Sequence, residues 1–137
     1  MAHEIVMAMI VRSDRILLGK RSAARAFFPD VWDVFGGHVE PGEQFEQTLV
    51  RELQEELDIT PTQWQFLETL TQPLPAREPP DLLTAHLFLV SAWTGTPVNR
   101  QPEEHSEIGW FSLAQAIQLQ LADPAYPELF ARYLRGD

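Results

Sequence analysis

The stretch Gly37-His38-Val39-Glu40-Pro41-Gly42-Glu43, continued by Arg51-Glu52-Leu53-Gln54-Glu55-Glu56-Leu57-Asp58-Ile59, decides how this chain is read. From Glu43 the apolar residues Phe45, Leu49, Leu53 and Leu57 recur every four positions, the spacing of a buried helix face, and Pro41-Gly42 punctuates the chain just ahead of it. At about 100° per residue, Glu52, Glu55 and Glu56 fall on one arc beside that stripe, because positions i, i+3 and i+4 are neighbours on a helix. Like charges so placed cost the helix a few tenths of a kcal/mol each, roughly, so the arc is either solvated or neutralised by a cation. A hard divalent cation suits it. Mg2+ takes oxygen ligands, keeps several waters and is held by a few carboxylates together with substrate phosphates. Taken alone, the helix also fits an ordinary solvated acidic face.

Working outward, Val31-Trp32-Asp33-Val34-Phe35 has the residues of a strand entering Gly36-Gly37, and two adjacent glycines let the backbone approach a partner closely. Phe27-Phe28-Pro29-Asp30 reads as a turn. Further upstream, Glu4 to Val11 contains an unbroken apolar run that suits a strand buried on both faces, and Ile16-Leu17-Leu18-Gly19 suits a second. Lys20, Arg21 and Arg25 follow at once, a local basic cluster in a chain with ten Lys and Arg.

Downstream, Thr60-Pro61 is expected to end the helix, and Trp64 to Leu70 alternates partly as a strand would. Thr71 to Asp81 holds four of the eleven prolines, as a binding loop or a stiff surface excursion would. Leu82 to Trp93 reads as the longest strand, with His86 packed inside it, and Thr94-Gly95-Thr96-Pro97 ends it. Asn99 to Ile108 is a polar loop carrying Glu103, Glu104 and Glu107. Ser112 reads as the N-cap of a short helix to Ile117, and a last packing helix is expected over Glu128 to Leu134.

The glycine, the glutamates and the Arg51-Glu52-Leu53-Gln54-Glu55-Glu56 run, at these spacings, closely resemble the Nudix box of the Nudix hydrolase family. Six fixed residues at roughly 7% usage each coincide by chance with a probability of about 10⁻⁷ per starting position. The pattern has Gly where this chain has Asp58, one departure in the 23 positions from Gly37 to Ile59. Asp enters the left-handed conformation of a helix stop less readily than Gly, so the departure bears on the helix end rather than on metal binding.

The resemblance implies a Nudix-type α/β/α sandwich with a mixed β-sheet, as one domain over residues 1–137, acting as an Mg2+-dependent pyrophosphohydrolase with Mn2+ as the alternative ion. It implies that Glu52, Glu55 and Glu56, with the Gly36 carbonyl, hold one to three ions, and that an acidic-loop glutamate adds a further ligand or base, Glu104 first and Glu103 next. Arg21 is the implied phosphate contact, at the end of a Leu-Leu-Gly-x-Arg-like segment. His38 is placed beside Gly37 to touch substrate, and a Glu43–Arg51 pair fixes the loop on the helix. Glu52 and Glu104 are both candidates for the general base. The substrate is a nucleoside diphosphate linked to another group: a nucleoside triphosphate, oxidised or not, with ADP-ribose or a nucleotide sugar as the alternative. Pro75 lies near where ADP-ribose-cleaving members carry a proline. A nucleotide-sensing module without catalysis is the competing class, against which the complete carboxylate set argues.

Composition bounds the rest. The 137 residues suffice for one core, and the absence of cysteine removes disulfides, thiolate metal sites and thiol catalysis, including that of the isoprenoid diphosphate isomerase built on this scaffold. No apolar run approaches the roughly 20 residues of a membrane span and no basic leader precedes the first strand, so a cytoplasmic protein without membrane contact is expected. A formal charge of −10 disfavours extended nucleic acid while leaving small phosphorylated ligands open to metal ions and a few arginines. The oligomeric state is left open, a homodimer included.

Overall fold

The computed structural model describes residues 2–24, 29–73 and 82–134. Strand β1 (Ala2–Arg12) is its axis. Val6, Ala8 and Ile10 point to one side of the sheet and Met9, flanked by Met7 and Val11, to the other, so both faces are buried and the run shows no polar alternation. One edge of β1 pairs in parallel with β6 (Leu82–Thr94), Ala2 to Ile10 lying against Leu82 to Val90.

The other edge is divided. β2 (Arg15–Arg21) takes Ile10 to Arg12, and β4 (Phe35–His38) takes Ile5 to Ala8, both antiparallel. β3 (Trp32–Asp33) pairs with Gly19 and Lys20 of β2, so residues 32–38 fill the fork where β1 and β2 diverge. β7 (His105–Ser112) covers the outer edge of β2, and β5 (Thr60–Pro73) that of β6. The result is a mixed seven-stranded sheet.

Helix α1 (Phe45–Leu57) lays Leu49, Leu53 and Leu57 on the face formed by Val6, Ala8, Ile10, Leu17, Phe88 and Val90. Each such leucine, fully buried, contributes about 1.5–3 kcal/mol. On the opposite face α2 (Leu113–Ala116) and α3 (Tyr126–Tyr133) cover Met9, Ile16, Leu18 and Leu87. This is the three-layered α/β/α arrangement expected.

Several element bounds differ from the sequence reading. α1 starts two residues after Glu43, because Gln44 is the cap and its N–H donates to Gln47 Oε1 at 2.8 Å. It ends at Leu57, not at Thr60-Pro61, because Asp58 adopts the left-handed conformation (φ 58°) and reverses the chain into β5. β5, with 14 residues, is longer than β6, with 13. The stretch 31–35 is not one strand but breaks at Val34, whose N–H donates to Asp33 Oδ1 at 2.8 Å. The acidic segment is a loop only up to Glu104, since pairing with β2 begins at His105. Ser112 caps α2 as expected, but α2 is a single turn. α3 starts at Tyr126, with Pro127 in its first turn, where a missing N–H costs nothing. Arg25, Phe27, Phe28 and residues 74–81 of the proline-rich connector, Pro75 among them, lie outside the described residues. Among the described residues no helix is long and apolar enough to cross a membrane.

Candidate active site

The fork between β1 and β2 opens onto α1 as a cleft of about 350 Å³. Arg21, Gly36, Gly37, His38, Glu52, Glu56 and Glu104 all line it, with Asp33 and His105. Residues widely separated in the chain converge because β2, β4, α1 and the turn before β7 all end there.

The glycines make the approach of α1 to β4 possible. A Cβ on Gly37 would lie 2.3 Å from the Glu52 carboxyl carbon, and one on Gly36, whose φ is 151°, would lie 1.9 Å from the Val6 carbonyl oxygen. With no side chain there, Glu56 comes in close enough for its Oε1 to accept from the Gly36 N–H at 3.1 Å.

Arg51 organises the rim. Its Nε donates to Glu43 Oε2 at 2.7 Å and its Nη2 to Glu43 Oε1 at 3.0 Å, the bidentate pair expected. Nη2 also donates to the His38 carbonyl at 2.9 Å, and Nη1 to Glu52 Oε1 at 2.8 Å. One guanidinium thus ties the glycine loop to the helix. Arg51, with Thr48 behind it, pulls Glu43 down to about 2. Glu55 stands on the exposed rim, 3.5 Å from Arg51 Nη1.

Glu56 is 5% exposed and Glu52 lies beside it. Burial, followed by the charge of Glu52, pushes Glu56 up to about 9, and burial also raises Glu52 against the pull of Arg51. An apolar wall does not need two carboxyl groups held together in this way. A divalent cation would relieve both the desolvation and the repulsion, so the donor set fits the group that the box implies.

Sequence reading missed two members of the cleft. Asp33, at the centre of Val31-Trp32-Asp33-Val34-Phe35, accepts from Tyr126 Oη at 2.5 Å and lies 3.5 Å from Arg21 Nη1. Burial raises its carboxyl. An acid in the middle of an apolar strand was the available signal, since a buried carboxylate requires partners. His105 directly follows Glu104, and its Nε2 is 3.9 Å from Glu56 Oε2. No spacing rule marked it, because its approach to α1 depends on the β2–β7 register. His86, by contrast, is the packed residue expected, stacked on Phe45 and 3.1 Å from Thr69 Oγ1.

The NUDIX domain family matches residues 1–133. The chain is 35% identical over 128 residues to the CTP pyrophosphohydrolase of Escherichia coli (strain K12), covering 93% of this chain and 89% of that protein. It is 35% identical over 112 residues to the 8-oxo-dGTP diphosphatase of the same organism, covering 80% of each. The crystal structure of the MutT NUDIX hydrolase from Burkholderia pseudomallei superposes with a TM-score of 0.76 at 32% identity, covering 84% of this chain and 86% of that one. The chain belongs to the Nudix family, whose members are hydrolases of phosphoanhydride bonds that generally use divalent metal ions.

Proposed function

We propose that the chain hydrolyses a nucleoside triphosphate to the monophosphate and pyrophosphate, with Mg2+ or, in its place, Mn2+. The observation that carries this reading is the convergence of Glu52, Glu56 and Glu104 on one cleft that also holds Arg21. The printed names of two relatives, a CTP pyrophosphohydrolase and an 8-oxo-dGTP diphosphatase, support a nucleoside triphosphate over other linked diphosphates.

Bound divalent ions would neutralise charge on the phosphate oxygens and acidify water, and Glu52, Glu55, Glu56, Glu104 and the Gly36 carbonyl are the groups to hold them. Arg21, at the cleft wall, offers its guanidinium to a phosphate, and Asp33 fixes its direction. His38, which also lines the cleft, contacts the nucleotide. Arg51 and Glu43 keep β4 and α1 at a constant separation, so that substrate phosphorus and water meet in line. Glu52 or Glu104 takes a proton from the attacking water. The new P–O bond forms as the phosphoanhydride P–O bond breaks, and the leaving group, pyrophosphate for attack on the α-phosphorus or the nucleoside monophosphate for attack on the β-phosphorus, departs with the bridging oxygen.

A dinucleotide substrate is the second reading. It is favoured by relatives named NAD-capped RNA hydrolase, such as that of Stutzerimonas stutzeri (strain A1501), 28% identical over 131 residues, of whose length this chain spans 41%. A panel of nucleoside triphosphates, oxidised triphosphates, ADP-ribose, nucleotide sugars and NAD, compared by kcat/KM, tests the two. The expected result is the highest kcat/KM for a triphosphate, with pyrophosphate as co-product. Preferred cleavage of ADP-ribose, a nucleotide sugar or NAD would overturn it.

A further inference from the structure

β7 brings to the cleft a side chain that the reaction above does not use. His105 is 5% exposed, and its position is fixed from several sides. Its N–H donates to the Gln101 carbonyl at 3.0 Å, and its own carbonyl accepts from Asn99 Nδ2 at 2.7 Å. The ring lies against Phe35, with centroids 5.1 Å apart, and over Gly19, where a Cβ would come within 2.7 Å of His105 Cδ2. Packing therefore holds the imidazole beside Glu56 rather than leaving it to choose among rotamers.

The separation of His105 Nε2 from Glu56 Oε2, 3.9 Å, is too long for a hydrogen bond but suits two donors on one ion. The donor atoms of Glu56, Glu104 and His105 all lie within 4.8 Å of one another. Two bonds of about 2.2 Å to a common ion span at most roughly 4.4 Å, so a small rotation of one side chain brings all three donors into contact with it. Glu104 is itself anchored, its N–H donating to the Gln101 carbonyl at 2.9 Å and its carbonyl accepting from the Ser22 N–H at 2.8 Å.

The donor chemistry differs from that of the other carboxylates of α1. Glu52 and Glu55 offer oxygen alone, which suits Mg2+; an imidazole nitrogen favours first-row transition ions, whose affinities rise along the series from Mn2+. We propose that His105 Nε2 is a metal ligand and completes, with Glu56 and Glu104, a position that takes a divalent transition ion in preference to Mg2+. The inference rests on the reading of this cleft as a cation-dependent hydrolytic site.

The test is pulsed electron paramagnetic resonance on the full chain loaded with Mn2+, prepared with natural-abundance or 15N-labelled histidine. Two of the chain's four histidines, His38 and His105, line the cleft. The expected result is nitrogen modulation from bound Mn2+ that changes to the 15N pattern on labelling and persists in His38→Gln. In His105→Gln the modulation disappears and Mn2+ affinity falls about tenfold or more, while Mg2+ affinity stays within about threefold. Should His105→Gln fail to fold, labelled wild type and His38→Gln decide the matter alone. Bound Mn2+ without histidine-nitrogen coupling, or coupling lost in His38→Gln, would overturn the inference and leave the hydrolytic reading standing. No Mn2+ binding at all would overturn both.

Discussion

At the scale of single residues, Glu56 combines burial with charge crowding, and its protonation follows from that. Pushed up to about 9, it is neutral at pH 7 when no cation is bound, so a cation must displace its proton. Apparent cation affinity should therefore rise with pH up to about 9, and calorimetry in two buffers of different ionisation enthalpy should register proton release; equal heats would contradict this. The sign for stability runs the other way. A group raised above its ordinary value near 4.5 favours the fold below that value, so the cation-free protein loses stability as pH rises towards 9. Glu43 is the opposite case. Depressed to about 2, it stabilises the fold above pH 4.5, and this contribution disappears as pH falls towards 2. Denaturant midpoints measured from pH 6 to 2 should fall more steeply for wild type than for Glu43→Gln. Arg51→Lys keeps the charge but loses the two-pronged contact with Glu43; kcat/KM should drop about 10- to 100-fold, and a change below twofold would detach Arg51 from the site.

At the scale of elements, α1 carries the account, and most of it was legible in advance. Its four-residue apolar period predicted the buried face, and helical geometry alone places the three glutamates on one arc, of which Glu52 and Glu56 line the cleft. What the local pattern did not disclose was depth. Glu52, Glu55 and Glu56 look equivalent on a helix wheel, yet only the packing of α1 against β4 buries Glu56 and leaves Glu55 on the rim. Strand ends were misplaced for the same reason: Thr60-Pro61 and Glu107 belong to strands because β6 and β2 offer them pairing partners, which no local pattern reports. Two substitutions probe the helix. Leu53→Ala should cost about 2–5 kcal/mol of unfolding free energy, as expected for a leucine with no exposure. Asp58→Gly should stabilise by about 1 kcal/mol, because glycine adopts φ 58° without strain and a negative charge leaves the helix C-terminus. The lost contact with Arg100, 3.4 Å away on the exposed surface, offsets little of this. A lower melting temperature for Asp58→Gly would show that the aspartate has a further role.

At the scale of the whole molecule, the sheet explains why the site lies where it does. Strands β1 and β2 share only three pairs before they part, and the glycine-bearing segment 32–38 occupies the gap. That long-range arrangement placed Asp33 and His105 in the cleft; an acid within an apolar run hinted at the first, and no linear pattern marked the second. The net charge of −10 leads to a prediction about partner size. A free nucleotide should be hydrolysed far faster than the same nucleotide within a long single strand, whose repeated phosphates meet an acidic surface.

On the proposed reading, the carboxylates of α1 make hydrolysis of a phosphoanhydride possible. The most direct test is product analysis by 31P NMR on a nucleotide panel, with wild type and Glu56→Gln side by side, with Mg2+ and with chelator. Wild type with Mg2+ should give monophosphate and pyrophosphate, none with chelator, and Glu56→Gln a rate at least about a hundredfold lower. Equal turnover by Glu56→Gln, or undiminished turnover in chelator, would contradict it.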